Sequence, residues 1–475
     1  MRHLGSISGR WLSALLVILA ISAVFGSSAG AQTDSAAQSD TLLGTWYGEI
    51  EVGPQGLGVY FTIEEGAGGE LSGQMDIPDQ GASGLSINEV RTERDSLVLI
   101  VETVGGRFEG RLRADSLVVE GSWHQSGRSW PLTVRHVPES EQPTGPNRPQ
   151  EPEPPLPYAS EEVQFTNEAD GIELAGTLTL PEGEGPHPAA IFISGSGPQN
   201  RDYDGTFSHR TPLVLADYLT RQGIVVLRYD DRGVGASTGN FAAARTEDLA
   251  RDAEAALRYL RTRSEVAPGR VGLIGHSEGG IVAPMVARDG PADFLVLLAG
   301  PAVPGKEILV DQAVRMTRAQ GAPEPRIDSL RRIQDRLLTA VIEAPDSAAA
   351  AEAARAQLEK IGVDSASIAA QVRSLTSPWM MRFLTLDPAP FLREVEVPVL
   401  ALYGGKDLQV SDELNAERMR ELLGAEDDPR ARVRSFENAN HLFQPAQTGL
   451  PTEYAQIETT IDPDVLEAIA TFIRE

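Results

Sequence analysis

Cysteine is absent from all 475 residues, and lysine nearly so: Lys306, Lys360 and Lys406 are three of only 41 basic residues, and arginine supplies the rest. The first absence excludes disulfides, thiolate chemistry, Cys-ligated zinc and lipid attachment through an N-terminal cysteine. A chain of this length can be stabilised by packing instead. The second absence, set beside 68 acidic residues and a net charge of −27, excludes the clustered cations that a phosphate backbone needs, so no nucleic-acid partner is expected. An acid-rich, lysine-poor surface suits solution at high salt, and equally a generally acidic, arginine-using proteome. No fixed repeat period is present. The hydrophobic content of 41% excludes global disorder.

Long apolar runs are also lacking, apart from one at the N-terminus. Arg2 and Arg10 precede WLSALLVILAISAVF (11–25), and small residues follow, ending Ala29-Gly30-Ala31. A basic segment, a short apolar stretch and an A-x-A site describe a secretory signal peptide over residues 1–31. The apolar stretch falls short of the ~20 residues of a spanning helix. The expectation is an exported protein, periplasmic or extracellular, with no membrane span after processing.

Proline punctuates the chain once at high density. Residues 138–160, PESEQPTGPNRPQEPEPPLPYAS, cannot sustain a helix or interior strand and read as a semi-rigid linker. Before it, 41–137 is a series of short alternating runs (TWYGEIEV, GVYFTIEE, GELSGQMDI, SLVLIVET, GRFEGRLRA, SLVVEGSWH, WPLTVRHV), which predicts a small antiparallel barrel or sandwich. Trp46, Trp123 and Trp130 there are read as core residues of a stabilising module, with ligand binding by this domain as the alternative. After the linker, 161–475 alternates apolar strands with helices, which predicts a mostly parallel sheet with helices on both faces. Residues 301–390 break that rhythm. They are Ala-, Arg- and Glu-rich without a β-run and too long for a loop, so they predict a helical cap.

Within that frame, GLIGHSEGGIV (272–282) sets Gly275 and Gly279 around Ser277, between the strand RVGLI and the helix GGIVAPMVA. A nucleophile on such a strand-to-helix turn sits in a strained conformation whose neighbours crowd together and favour glycine. A serine needs a base. Of the seven histidines, His3 lies in the leader, His124 and His136 in the first domain, His187 before a strand, and His209 at a helix start. His276 lies inside the turn, its side chain expected to point elsewhere. His441, in NANHLF just after a late strand, remains. Asp407 directly follows the buried strand VPVLALYGG and is the expected orienting acid, ahead of Asp412, a helix-capping candidate, and Asp387. The amides of Glu278 and Ser196, the latter in the loop after AAIFISG, are the expected oxyanion donors, with Gly195 and Gly197 as alternatives to Ser196. RYDDRGVGAS lacks the dinucleotide-binding spacing and reads as a structural loop.

The runs ISGSGPQNRD, VVLRYDDRGVGAST, VGLIGHSEGG, LLAGPAVPG and LYGGKD span most of 161–475. They resemble a bacterial branch of the α/β-hydrolase superfamily, close to serine aminopeptidase-like and bile-acid-acyltransferase or acyl-CoA-thioesterase-like domains. MDIPDQGA (75–82) is similar to the small β-domain fused ahead of such hydrolases. The resemblance implies the α/β-hydrolase fold and a carboxylesterase that uses Ser277, Asp407 and His441 on a small-molecule ester without metal or cofactor. Serine aminopeptidase and thioesterase activities are the alternatives, with Glu307 and Asp311 as candidates to hold a substrate amine. One departure is that Ser194 stands where the usual histidine precedes the oxyanion glycine.

Overall fold

A computed structural model of the protein describes residues 42–475, except 52–55, 67–70, 78–81, 102–103, 114–116, 126–127, 139–146, 205–208 and 291. The expected signal peptide lies outside the described residues.

The first domain is one antiparallel sheet of nine strands: β1 (Gly44–Ile50), β2 (Leu57–Glu65), β3 (Leu71–Ile77), β4 (Ala82–Ile87), β5 (Glu89–Glu93), β6 (Ser96–Val101), β7 (Gly106–Leu112), β8 (Val118–Gln125) and β9 (Arg128–Val137). The spatial order is β4-β3-β2-β1-β9-β8-β7-β6-β5. Its two outermost strands are consecutive in sequence and joined through Asn88, so the sheet curls into a nearly closed barrel. Alternation explains the curl's inside: in β6, Leu97, Leu99 and Val101 are buried while the residues between them are half-buried. Trp46, Phe61, Phe108 and Trp123 fill the interior, with the Phe61 and Phe108 rings stacked at 5.6 Å. The Trp46 indole donates to the Leu42 carbonyl at 2.9 Å, so its one polar atom is satisfied. Trp46 and Trp123 are therefore core residues, and Trp130 packs against the same cluster half-buried.

Residues 147–158, inside the proline-rich stretch, lie against the second domain. Arg148 donates to the carbonyls of Ala455 and Ile457 at 2.7 and 2.6 Å. Gln150 donates to Ile461 and accepts from the amides of Thr460 and Ile461. Tyr158 donates to the Asp217 carboxylate at 2.8 Å. Proline keeps this segment extended, and side-chain donors reaching backbone carbonyls hold it down.

The second domain opens with an antiparallel hairpin, β10 (Ala159–Asn167) and β11 (Ile172–Leu180). It continues through β12 (His187–Ile193), α1 (Thr211–Arg221), β13 (Val225–Tyr229), α2 (Thr246–Leu260), β14 (Val266–His276), α3 (Gly279–Asp289) and β15 (Leu295–Leu298). Six cap helices follow: α4 (Gly305–Ala319), α5 (Glu324–Ile342), α6 (Ser347–Lys360), α7 (Ser365–Leu375), α8 (Pro378–Thr385) and α9 (Ala389–Arg393). Then come β16 (Val399–Gly404), α10 (Asp412–Leu423), β17 (Ala431–Phe436), α11 (Pro451–Tyr454) and α12 (Pro463–Arg474). The sheet order is β10-β11-β13-β12-β14-β15-β16-β17, parallel from β13 to β17. β13, β15 and β16 are buried at every residue, as covering both faces requires. The chain leaves β12 toward β13 on one side and returns to β14 on the other. The loops that follow β12 and β14 therefore diverge at the carboxyl edge and leave a crevice between them.

The cap has its own core, in which Leu337, Leu338, Val341, Leu358, Ile368 and Val372 meet. Phe383 and Leu386 seat it on Ile281 and Met285 of α3. At the start of α2 the capping position precedes Thr246. Arg245 holds that position, and its amide donates to the Asp248 carboxylate at 2.7 Å. Thr246 is fully buried, and its hydroxyl donates instead to the Glu278 carboxylate at 2.7 Å.

Candidate active site

Two residues, Ser277 and Glu278, separate β14 from α3. Ser277 has φ +54°, a left-handed conformation that costs a residue with a side chain about 1–2 kcal/mol. Its amide donates to the Leu298 carbonyl at 2.8 Å, which pins the turn to the end of β15. The flanking glycines are demanded by close approach: a Cβ on Gly275 would lie 2.0 Å from the Gly279 carbonyl oxygen, and one on Gly279 2.5 Å from the Ile193 carbonyl oxygen. The turn is thus wedged between its own helix and the end of β12.

Asp407 lies just past β16 and His441 just past β17, on the same carboxyl edge as Ser277. His441 Nδ1 donates to Asp407 Oδ2 at 2.8 Å. The other carboxylate oxygen accepts from the amides of Gln409 and Val410 at 2.7 and 3.0 Å. Both side chains are buried, the residues being 2% and 5% exposed, so this pair is fixed in place. With Nδ1 committed, neutral His441 carries its lone pair on Nε2. Asn440, fully buried, tightens the loop from within: its Oδ1 accepts from the amides of Leu442 and Gln444, and its amide group donates to Gln444 Oε1.

His276, whose side chain was expected to point elsewhere, reaches His441. Its Nε2 donates to the His441 carbonyl at 3.0 Å, and the two rings lie 4.9 Å apart. Burial, then the neighbouring His441, pushes the His276 pKa down to about 3, so it remains a neutral donor. Its Nδ1 faces the Tyr203 hydroxyl at a long 3.4 Å. Burial raises the Tyr203 pKa, keeping the phenol protonated. That hydroxyl in turn accepts from the Gly195 amide at 2.8 Å. A relay therefore runs from the loop after β12, through Tyr203 and His276, to the backbone of His441. It occupies the Gly195 amide, one of the two alternatives to Ser196. A Cβ on Gly195 would lie 3.2 Å from the Ser277 Cβ, so this loop directly abuts the serine.

The acids of RYDDRG hold the same loop. Ser194 Oγ and the Gln199 amide donate to opposite oxygens of Asp231 at 2.7 and 2.8 Å. Arg201 grips Asp230 through two guanidinium nitrogens at 3.0 and 2.8 Å. Arg228 donates to Asp202 at 2.8 Å. Burial pushes the Asp231 pKa up to about 8, against the pull of Ser194 and Gln199. Ser194 thus serves as a side-chain anchor of the loop.

The remaining candidates fall elsewhere. Asp412 is the first residue of α10, and Asp387 accepts from the Ala389 amide. His187 begins β12, at the opposite edge of the sheet. His209 is buried against Thr460 Oγ1 and the Tyr454 carbonyl, and burial lowers its pKa to about 4. Asp311 is engaged by Arg315 and Ser411, while Glu307 is exposed on the first turn of α4. Sequence reasoning missed Tyr203, Asn440 and Trp379. Only Asn440, one residue from His441, carried a local signal. Among the described residues, no group of three or more His, Asp or Glu side chains is arranged to hold a metal. No helix among them is long and apolar enough to cross a membrane.

A family model described as serine aminopeptidase, S33, matches residues 208–443, from the loop ahead of α1 to the His441 loop. Over that stretch the chain is similar to serine aminopeptidase-like α/β-hydrolases. Esterase EstD of Thermotoga maritima is 27% identical to this chain over 302 residues, covering 63% of this chain and 65% of that protein. The uncharacterised protein YfhR of Escherichia coli is 30% identical over 171 residues, 34% of this chain and 57% of its own length. The chain thus spans less than two thirds of the curated relatives it matches. Among solved structures, the esterase Pf2001 of Pyrococcus furiosus aligns with 70% of this chain and 97% of its own, at 16% identity and a TM-score of 0.43.

Proposed function

We propose that this α/β-hydrolase is an exported serine hydrolase of small carboxylic esters. The observation that carries the reading is the buried Asp407–His441 pair. It lies on the same carboxyl edge as Ser277 and is tied to the turn by the His276–His441 hydrogen bond. His441 Nε2 takes the proton of Ser277 Oγ as the oxygen attacks the ester carbonyl carbon, and the alcohol leaves with that proton to give an acyl-enzyme. Asp407 holds the imidazole tautomer and stabilises its protonated form. The amides of Ser196 and Glu278 receive the developing oxyanion. Water activated by His441 then releases the acid. The name of EstD supports an ester as substrate, and the leader-like segment 1–31 supports export.

The family's description raises aminopeptidase activity as a second reading. The engagement of Asp311 by Arg315 and Ser411 counts against that residue as an amine site.

Hydrolysis of p-nitrophenyl esters from acetate to palmitate, with Ser277→Ala alongside, tests the reading. Ester turnover that disappears in Ser277→Ala is the expected result, and the preferred chain length sizes the space under the cap. Folded protein that is inert on every ester yet cleaves aminoacyl-p-nitroanilides would replace esterase by aminopeptidase.

A further inference from the structure

Glu278 has a backbone role at the turn, which any residue could fill, and a side chain that this role does not need. That side chain is a carboxylate in a residue only 1% exposed. Burial raises its pKa, and the groups that donate to it are all neutral. An isolated buried carboxylate is costly, so the groups that satisfy it mark what it does.

Three side chains from three separate elements converge on it. Thr246 Oγ1, at the start of α2, donates to Oε1 at 2.7 Å. Trp379 Nε1, in cap helix α8, donates to both oxygens at 2.8 and 2.9 Å. The hydroxyl of Ser196, in the loop after β12, lies beside the carboxylate and favours its charged form. Trp379 is itself stacked on Phe383 at 5.2 Å, and Phe383 is one of the residues seating the cap on α3. Beside this cluster a second polar link joins Arg382 of α8 to Glu247 of α2. One carboxylate therefore fastens the helical cap, the N-terminus of α2 and the loop after β12 to the turn that bears Ser277.

We propose that Glu278 is a positioning residue: its carboxylate latches α8 and Ser196 to the nucleophile turn, so the amides of residues 196 and 278 keep their spacing only while the cap is seated. This rests on the serine-hydrolase reading for its catalytic consequence. Its structural half stands independently of substrate. On that reading Ser196 and Glu278 carry the two amide donors, and the Glu278 carboxylate lies beside the Ser196 hydroxyl. Loss of Trp379 from the cluster frees one side of the carboxylate and draws it away from Ser196. Seating of α8 and assembly of the oxyanion site are thereby a single event.

The test compares wild type with Glu278→Ala, Glu278→Gln, Trp379→Phe and the double variant Glu278→Ala/Trp379→Phe. Phe retains the stack on Phe383 but has no N–H to donate. Hydrogen exchange is followed over residues 194–199 and 378–385, alongside ester kinetics. The expected result is faster exchange over both segments in Trp379→Phe and Glu278→Ala. In Glu278→Ala, kcat falls by about 100-fold with little change in KM, the pattern of a misplaced oxyanion donor. Glu278→Gln, whose carbonyl still accepts from the indole, stays within about tenfold of wild type. The double variant is no slower than Glu278→Ala, because both changes break one latch. Wild-type exchange over 194–199 in Trp379→Phe would overturn the coupling, as would additive losses in the double variant. If wild type neither turns over esters nor reacts at Ser277 with a fluorophosphonate, the hydrolase reading fails. The exchange comparison still decides the latch.

Discussion

At the scale of single residues, the site depends on atoms that cannot be moved. Gly275→Ala places a methyl 2.0 Å from the Gly279 carbonyl oxygen, so the turn must open. The expected outcome is loss of ester turnover together with a lower melting temperature, read by kinetics and thermal denaturation. Asp407→Asn keeps the shape but presents an amide to His441 Nδ1 and favours the wrong tautomer. A fall in kcat of about 10³–10⁴ with a near-normal fold is expected from steady-state kinetics and circular dichroism. His276→Asn removes the donor to the His441 carbonyl and one support of the base. Ser277, Asp407 and His441 were legible as candidates because each follows a strand, and strand exits can be read from apolar runs. Tyr203 and Trp379 were not. They reach the site through bonds that span 73 and 101 residues of sequence, and nothing local marks them.

At the scale of elements, the loop after β12 is held in shape by its acids and arginines. Asp231 receives Ser194 and Gln199, and Asp230 receives Arg201, so two consecutive carboxylates fix both ends of the turn. Asp231→Ala removes two bonds and leaves the Ser194 hydroxyl without its acceptor. A drop in kcat larger than the change in KM is expected on the proposed mechanism, in which the loop places an oxyanion donor rather than gripping the ester. The parallel strands were legible from continuous apolar runs, and the cap from its lack of them. β4 and β5 were not, since ASGLSI and EVRTE are short and polar, and β-pairing with β3 and β6 decides their conformation. The start of α2 is decided by a related effect. The Thr246 hydroxyl is drawn to a buried carboxylate that only the tertiary fold supplies.

At the scale of the whole molecule, buried titrating groups give the stability an opposed pH dependence. The folded states of His276 and His209 resist protonation down to about 3 and about 4. The unfolded chain binds those protons near pH ~6.5, so stability falls as pH drops below that value. Asp231 has the opposite sign. Folded, it keeps its proton up to about 8, whereas unfolded it ionises near ~3.9, so stability is lost as pH rises through that interval. Between about pH 7 and 8 the buried carboxyls Asp231 and Glu278, both raised by burial, act with the same sign. The melting temperature of wild type should fall across that range and that of Asp231→Asn should fall less. Parallel curves would refute the assignment. The segment 147–158 adds a second dependence. A chain that begins at residue 159 loses the bonds of Arg148, Gln150 and Tyr158. At ~1 kcal/mol per bond it should melt about 5 °C or more below one that begins at residue 147.

In the barrel, the first strand pairs with the last, Thr45 lying opposite Val137. The chain therefore enters and leaves the barrel side by side, about one strand spacing (~4.8 Å) apart. A module built this way resembles a bead closed on its own thread. It can be removed, or threaded between two other segments, without separating the ends it leaves behind, which makes the barrel portable between chains in a way the hydrolase domain, braced by residues 147–158, is not.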